Sequence, residues 1–186
     1  MKTVLGVTGS IAAYKAAALA RLLVKAGDEV RVAMTPAACE FVRPLTFKTL
    51  VRNTVCVDTF DRPETWEIGH VSLATWADRI VVAPATANTM AKMAHGVADN
   101  LLTSVLLAAR CKVFVAPAMN CGMWHSPAVK ENVRILSSRG VAILGPARGF
   151  LACGDEGDGR MLEPEEIAAA LAATGQCIEK REDPAK

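Results

Sequence analysis

The chain has 186 residues, 52% of them hydrophobic, and its 21 Lys and Arg nearly balance 19 Asp and Glu. This profile predicts a folded chain with one sizeable core and excludes a disordered protein. The balanced charge gives no sign of a nucleic-acid partner, and no apolar run reaches the roughly 18 residues of a membrane span.

The six cysteines show no CxxC spacing, and a chain of this length with a strand–helix pattern favours reduced thiols in the cytoplasm. The apolar N-terminal run is broken by Gly6 and Gly9, which indicates a first strand instead of a signal peptide. Cys121 and His125 have helical i, i+4 spacing, but no second ligand pair lies nearby, so we predict no metal site.

Short β-branched runs alternate with helical patterns along the chain. Strands are predicted at 3–9, 29–35, 56–60, 79–86, 111–119 and 141–145. Helices are predicted at 11–27, 70–77, 87–109 with a break near Gly96, 126–139 and 164–174. The alternation predicts an α/β fold, with a parallel sheet of about six strands covered by helices on both faces.

The predicted domain covers residues 1–178, and a charged tail follows at 179–186. Inside the domain, residues 145–164 are long and Gly-rich and resemble a linker. Loops of that length within a compact domain are usually functional or mobile.

Every predicted strand ends in small or hydroxyl-bearing residues, as in "VTGSI", "AMTPA", "VAPATANT" and "VAPAMN". Ligands of open α/β sheets bind beyond the carboxyl ends of the strands. We therefore expect these endings to converge on one ligand site.

The stretch "GVTGSIAAYK" joins the first strand to the first helix through small residues, which let backbone N–H groups approach an anion. It lacks the full GxGxxG fingerprint, and Thr35 and Pro36 stand where a dinucleotide site needs an acid after the second strand. The pattern argues against NAD and suits a mononucleotide such as FMN. A plain tight turn capped by Ser10 is the alternative.

Hydroxyls and amides cluster in "APATANT" (83–89) and "DNLLTS" (99–104). Thr86, Asn88 and Thr89 follow the fourth predicted strand, where they can hold phosphate or ribityl oxygens. The same residue types are common helix caps, so both interpretations stand.

Two further residues are candidates for chemistry. His70 opens a predicted helix next to Gly69, a position that favours its neutral form and suits proton abstraction, although a single histidine is more often structural or solvated. Cys153 lies in the Gly-rich, polar stretch "ACGDEGDGRM", unlike a core cysteine, which usually has apolar neighbours.

These motifs, in this order and together with "PAMNCGMW" (117–124), closely resemble those of the flavin-dependent cysteine decarboxylases, above all the phosphopantothenoylcysteine decarboxylases of coenzyme A synthesis. The resemblance runs from about Lys2 to Pro164. It implies a Rossmann-like, flavodoxin-like three-layer αβα fold with non-covalent FMN. It also implies a homotrimer or a trimer of trimers, with the flavin at the subunit interface.

The resemblance also implies roles for individual residues. His70 is the implied base, reaching a neighbour's flavin, Asn120 holds the substrate carboxylate, and Cys153 is the late proton donor. Met123 is an implied substrate contact, although core packing also suits it, and Trp124 is expected to be structural. The implied flavin contacts are Gly9, Ser10, Ile11, Thr35, Thr86, Ala87, Asn88, Thr89, Ala118 and Met119.

The implied reaction oxidises a cysteine CH2–SH unit to a thioaldehyde, whose C=S group accepts electrons as CO2 leaves and an enethiol forms. Two substrates fit. With 4′-phosphopantothenoylcysteine, the reduced flavin returns a hydride to the enethiol and gives 4′-phosphopantetheine. With the C-terminal cysteine of a modified peptide, the reaction stops at an aminoenethiol. Thr75 stands five residues after His70, where the coenzyme A enzymes carry Lys or Arg, and favours the peptide. The retained "ACGDEGDGRM" favours the small molecule. A non-catalytic regulatory flavoprotein is a remote third alternative.

Overall fold

The computed structural model describes residues 1–58, 69–150, 154 and 156–174. Its centre is a six-stranded, fully parallel sheet with the order β3-β2-β1-β4-β5-β6. These strands are β1 (Lys2–Val7), β2 (Glu29–Met34), β3 (Val55–Cys56), β4 (Arg79–Ala85), β5 (Lys112–Pro117) and β6 (Ala142–Ile143). The predicted parallel sheet is confirmed, and the predicted short strand after residue 55 is its edge strand.

The central strands are buried because helices cover both faces of the sheet. Leu5 of β1 lies opposite Val32 on one side and Val81 on the other, and every residue of β4 is buried. The helices are α1 (Ala13–Lys25), α2 (Pro36–Cys39), α3 (Pro44–Val51), α4 (Gly69–Trp76), α5 (Ala87–His95), α6 (Leu101–Leu107), α7 (Cys121–His125), α8 (Pro127–Ser138) and α9 (Pro164–Thr174).

Two hydrophobic clusters fill the space between the sheet and its two helical layers. One contains Leu19, Phe47 and Ile167 from α1, α3 and α9. The other contains residues such as Met90 and Leu102 from α5 and α6, together with side chains of α4 and α8. The predicted three-layer αβα architecture is confirmed.

Three parts of the chain differ from the sequence prediction. Helices α2 and α3 were not predicted, although Pro36 and Pro44 open them at the position that prolines favour. A short helix, α7, precedes the predicted helix at 126–139. The linker-like stretch contains an antiparallel hairpin of β7 (Ala147–Phe150) and β8 (Glu156–Arg160), which corrects its interpretation as a plain loop.

A buried polar network ties the amino ends of β1 and β4 to α9. Arg79 donates from Nε to Thr3 Oγ1 over 2.9 Å and from Nη1 to the Leu171 carbonyl over 3.1 Å, and it pairs with Asp28. A buried guanidinium is tolerated here because its donors and its charge are matched.

Across the described ranges, no helix combines the length and the apolar character needed to cross a bilayer.

Candidate functional site

Backbone hydrogen bonds hold the carboxyl ends of four strands together. Thr35 N–H donates to the Val7 carbonyl over 2.9 Å and joins the ends of β2 and β1. Ala118 N–H donates to the Ala85 carbonyl over 3.0 Å and joins β5 to β4. The strand endings therefore converge at what we call the carboxyl end of the sheet, as the sequence predicts.

Thr8, which sequence reasoning missed, links β1 to β4 at this end. Its buried Oγ1 donates to the Pro84 carbonyl over 2.7 Å and accepts from Thr86 N–H over 3.1 Å. The hydroxyl thus fixes the turn after β1 relative to the start of α5. The available signal was a hydroxyl at the end of an otherwise apolar buried strand.

The turn after β1 approaches α2 closely. A Cβ on Gly9 would lie 2.6 Å from the Cβ of Ala37, so only glycine fits. Ser10 Oγ accepts from Ala12 N–H over 3.2 Å and stabilises the turn, while Ile11 is 58% exposed. Helix α1 begins only at Ala13, two residues later than predicted, because residues 10–12 form this turn.

Two threonines cap helices at the carboxyl end. Thr35 Oγ1 accepts from Ala38 N–H at α2, and Thr86 Oγ1 accepts from Thr89 N–H at α5, each over 3.3 Å. The Thr86 hydroxyl also donates to the buried Thr89 hydroxyl over 3.2 Å. Ala87 is half-buried and Asn88 is exposed in the same first turn.

The "DNLLTS" motif has a capping function. Asn100 Oδ1 accepts from Thr103 N–H over 3.0 Å, and Thr103 Oγ1 accepts from Asn100 N–H over 3.1 Å. This reciprocal box begins α6. The capping interpretation of residues 99–104 is therefore the one that the structure supports.

Asn120 lies directly beyond β5 and caps α7. Its Oδ1 accepts from Gly122 N–H over 2.7 Å, which fixes the oxygen toward the helix. Asn120 is exposed, Ala118 is buried and Met119 is half-buried, so the segment presents an amide beside a partly apolar wall.

Met123 and Trp124 have different environments. Met123 is 48% exposed, which makes the core-packing interpretation wrong and leaves a contact surface. Trp124 is buried, and the Lys130 ammonium lies 4.4 Å from the centre of its ring. Its structural role is confirmed.

His70 is the second residue of α4 and is half-buried. Its Nδ1 is buried and has no hydrogen-bond partner among the described residues. Among the residues that the structure describes, no hydrogen bond links His70 to the threonine and backbone network of the carboxyl end. Cys153 lies outside the described residues.

The donor set at the carboxyl end fits a phosphate-bearing flavin. The predicted contacts supply hydroxyls, an amide and backbone N–H groups, and they include no carboxylate. Helices α1 and α5 begin here, and helix N-termini favour anions. Neutral donors of this kind can hold a phosphate monoester and the hydroxyls of a ribityl chain.

An ion pair between the buried Lys15 and the half-exposed Glu163 holds α1 in place behind the turn after β1. Lys15 Nζ donates to Glu163 Oε1 over 2.8 Å and to the Met161 carbonyl over 3.3 Å. Glu163 also accepts from Arg160 over 2.9 Å. The hydrogen bond and charge of Lys15, helped by the charge of Arg160, lower the pKa of Glu163 below its ordinary value of 4.5.

A cavity of about 880 Å³ lies at the opposite, amino end of the sheet. Its walls are formed in part by the last turns of α4, α5, α6 and α8. Thr75, in the last turn of α4, is one of the lining residues. Its cations are Lys92, Arg110, Lys112 and Arg139. Positive charge beside helix C-termini complements their partial negative charge, so these cations have a structural explanation.

Within the described ranges, no cluster of three or more His, Cys, Asp or Glu could hold a metal ion.

The sequence matches the model of the Flavoprotein family over residues 1–175, and the chain belongs to this family. The resemblance to flavin-dependent decarboxylases is confirmed by the relatives. The chain is 52% identical over 161 residues to the coenzyme A biosynthesis bifunctional protein CoaBC of Bacillus subtilis (strain 168), covering 87% of this chain and 40% of that protein. The chain thus spans about two fifths of the length of the curated relatives it matches.

Solved structures extend the comparison. A cysteine-to-serine mutant of PPC decarboxylase complexed with pantothenoylaminoethenethiol superposes with a TM-score of 0.88 at 32% identity, covering 95% of this chain and 98% of the other. The FMN-dependent cysteine decarboxylase SpaF superposes with a TM-score of 0.78 at 33% identity, covering 93% and 97%. The predicted Rossmann-like, flavodoxin-like fold is confirmed.

Proposed function

We propose that this chain is an FMN-dependent carboxy-lyase that decarboxylates a cysteine carboxylate, with 4′-phosphopantothenoylcysteine as substrate and 4′-phosphopantetheine as product. The 52% identity to CoaBC over 87% of the chain supports coenzyme A biosynthesis as its setting. The PPC decarboxylase structure with an enethiol compound supports the reaction type, because that compound retains the C=C–SH unit expected after CO2 is lost.

FMN binds in this proposal at the carboxyl end of the sheet. The turn at Gly9, Ser10 and Ile11 holds its phosphate region with Thr35, while residues 86–89 hold the ribityl chain or phosphate. Ala118 and Met119 lie against the ring system. When bound, FMN supplies the two-electron oxidation that turns the substrate CH2–SH into C=S.

The observation that carries the proposal is the capped amide of Asn120 beside the convergent strand ends. Because Oδ1 accepts from Gly122 N–H, the Nδ2 donors are directed to the other side of the amide group. A neutral donor can orient a carboxylate without the strong stabilisation that a cation would give to the charge that must be lost.

His70 is the proposed base that takes a proton during substrate oxidation. Its buried Nδ1 has no hydrogen-bond partner within the described ranges, which is consistent with a ring whose partner is supplied by a ligand or a neighbouring subunit. Cys153 is the proposed proton donor when the enethiol is reduced to the saturated thiol, and Met123 is a proposed substrate contact.

The direct test is an assay of the purified chain with FMN and phosphopantothenoylcysteine, with the products weighed by mass spectrometry. Loss of CO2 alone indicates the full reaction, and loss of CO2 plus two hydrogens indicates an enethiol product. If neither this substrate nor a peptide with a C-terminal cysteine loses CO2, the proposal is wrong. A purified protein that is colourless and binds no FMN supports a regulatory role instead.

A second candidate is oxidative decarboxylation of a peptide's C-terminal cysteine to an aminoenethiol. Thr75 favours it, since a threonine cannot pair with a substrate phosphate as a cation does. Thr75 also borders the amino-end cavity of its own chain. The same decarboxylation assay, run with a peptide that ends in cysteine, shows which of the two substrates loses CO2.

We further propose a homotrimer, or a trimer of trimers, with the flavin at the subunit interface and a cytoplasmic location. Residues 1–178 form the proposed FMN-binding domain, and 179–186 its tail. Ile11 and Tyr14 support an interface near the turn after β1, because these large apolar side chains are 58% and 62% exposed. Native mass spectrometry tests the assembly: a monomer with full flavin occupancy contradicts it.

A further inference from the structure

We propose that His125 and Asp158 are positioning residues, which hold strand β8 against the Asn120 segment and so fix how the substrate carboxylate meets Asn120. The proposal rests on the proposed function, since it concerns the substrate contact of the same site. No step of the proposed reaction otherwise uses either side chain.

Strand β8 and the Asn120 segment already touch through their backbones. Met119 N–H donates to the Gly159 carbonyl over 3.0 Å. Gly159 has a φ of +141°, and a Cβ there would overlap the Met119 carbonyl oxygen. A Cβ on Gly157 would lie 2.7 Å from Cys121 Sγ. Two glycines on one face of β8 therefore let it approach the residues on either side of Asn120.

The side-chain pair lies between these glycine contacts. His125 Nε2, in the last turn of α7, lies 3.3 Å from Asp158 Oδ2 on β8. Asp158 is flanked by Gly157 and Gly159. Its contact with His125 therefore keeps Gly157 close to Cys121 and Gly159 close to Met119. Asn120 caps the start of α7, and His125 ends it. The pair therefore joins the end of α7 to β8, while the Met119 hydrogen bond joins the residue before Asn120 to the same strand.

The other end of the hairpin is anchored differently. Arg160 pairs with Glu163, and Glu163 pairs with the buried Lys15 of α1. That anchor is partly buried, whereas His125 and Asp158 are 52% and 45% exposed. The exposed pair therefore contributes little to folding and acts on the local geometry beside Asn120.

The test compares H125A, D158A and the double variant in the full chain with FMN. We expect each single variant to raise KM about two- to fivefold, the size of an exposed polar side-chain pair, with kcat changed less than about twofold. The double variant should match either single variant, because both remove the same contact. The charge-swapped variant H125D/D158H should restore KM at least in part.

Hydrogen exchange provides a readout that needs no activity. The Met119 amide should exchange about two- to fivefold faster in each variant, since its acceptor lies on the loosened strand. A matched control is E131A/R134A, which removes the exposed pair of α8. That control should leave both KM and Met119 exchange unchanged.

Three outcomes overturn the proposal: effects of the single variants that multiply in the double variant, unchanged Met119 exchange, or an equal effect of E131A/R134A. If the wild-type chain decarboxylates neither substrate, the proposed function fails. The exchange data then still decide whether the pair anchors β8.

Discussion

The two ends of the central sheet have opposite chemistry. At the carboxyl end, α1 and α5 begin, and the side chains are hydroxyls and amides that cap helices or bridge strands. At the amino end, α4, α5, α6 and α8 finish, and cations surround a cavity of about 880 Å³. Because helices of an α/β sheet run antiparallel to its strands, one end collects N–H groups and the other collects carbonyls.

The difference shows why cavity size alone does not mark the site. Cations at the amino end complement helix C-termini, and one of them, Lys92, pairs with Asp99. The predicted contacts at the carboxyl end include no charged side chain, yet they supply the groups that a phosphate and a departing carboxylate require. We therefore expect substitutions at the two ends to differ in their effect on flavin and turnover.

The largest effect is expected from His70→Asn. Loss of a base lowers CO2 release by about a hundredfold or more, because general-base catalysis contributes at least that much. The flavin should stay bound, since His70 is not among the residues proposed to hold it in its own chain. CO2 release and flavin absorbance are measured on the same sample. A colourless variant contradicts the assignment of His70 to chemistry alone.

Asn120→Asp is expected to lower kcat/KM about 10- to 100-fold, because a carboxylate in place of the amide repels the substrate carboxylate. Aspartate caps a helix as well as asparagine does, so stability should be kept. The matched control is Asn100→Asp, the same change at the cap of α6. Steady-state kinetics should show less than about a twofold change there. Equal losses in the two variants would falsify a role specific to Asn120.

Two threonines, Thr3 on β1 and Thr8 directly after it, allow the two ends of the sheet to be compared. Thr8→Val leaves the Pro84 carbonyl and Thr86 N–H without their shared hydroxyl, which costs about 1–3 kcal/mol of stability. It should also weaken FMN binding about tenfold by releasing the turn from α5. Thr3→Val, at the amino end, removes a partner of Arg79 and should cost stability with little effect on FMN. Thermal unfolding and FMN titration check both variants.

The smallest effect concerns acid stability. The folded-state pKa of Glu163 is lowered, chiefly by its hydrogen bond to Lys15, so its contribution is present above pH 4.5 and is lost as pH falls through the folded pKa. Because Glu163 is 42% exposed, we expect at most about 1 kcal/mol. Denaturant unfolding of Glu163→Gln should show a flatter pH dependence below about pH 5 than wild type.

Asp99→Asn is the control at the amino end. Lys92 also lowers the pKa of Asp99, but that pair is on the surface. Its change in acid stability should therefore be smaller than that of Glu163→Gln. A larger change in acid stability for Asp99→Asn than for Glu163→Gln would show that the burial of Lys15 does not strengthen its ion pair with Glu163.

The central sheet was predictable because its strands are mostly apolar and β-branched, and because helices such as α1, α5 and α8 keep a 3.6-residue period. The break near Gly96 and the start at Pro164 carry local signals that the structure confirms. Strand β8 carries none: "EGDGR" has no β-branched residue, and its strand form depends on β7 and on contact with Met119. Such a strand is specified by tertiary packing.

The site was predictable only in part, because some of its contacts follow from strand ends and others from tertiary packing. Thr35, Thr86 and Asn120 stand at strand ends that the sequence identifies. The bridge made by Thr8 required knowledge that β1 and β4 are neighbours, which no local pattern gives. Sequence reasoning could not choose between a substrate contact and core packing for Met123, because α7 has five residues, too few for its period to reveal a buried face.

The glycine contacts of β8 have a consequence for engineering. Because Gly157 and Gly159 fit against Cys121 and Met119, the hairpin and the segment 117–125 form a matched pair of surfaces. A chimera that imports the hairpin of a relative should therefore exchange residues 117–125 in the same step. Under the proposed function, an exchange of substrate preference between family members would move the two segments as one module.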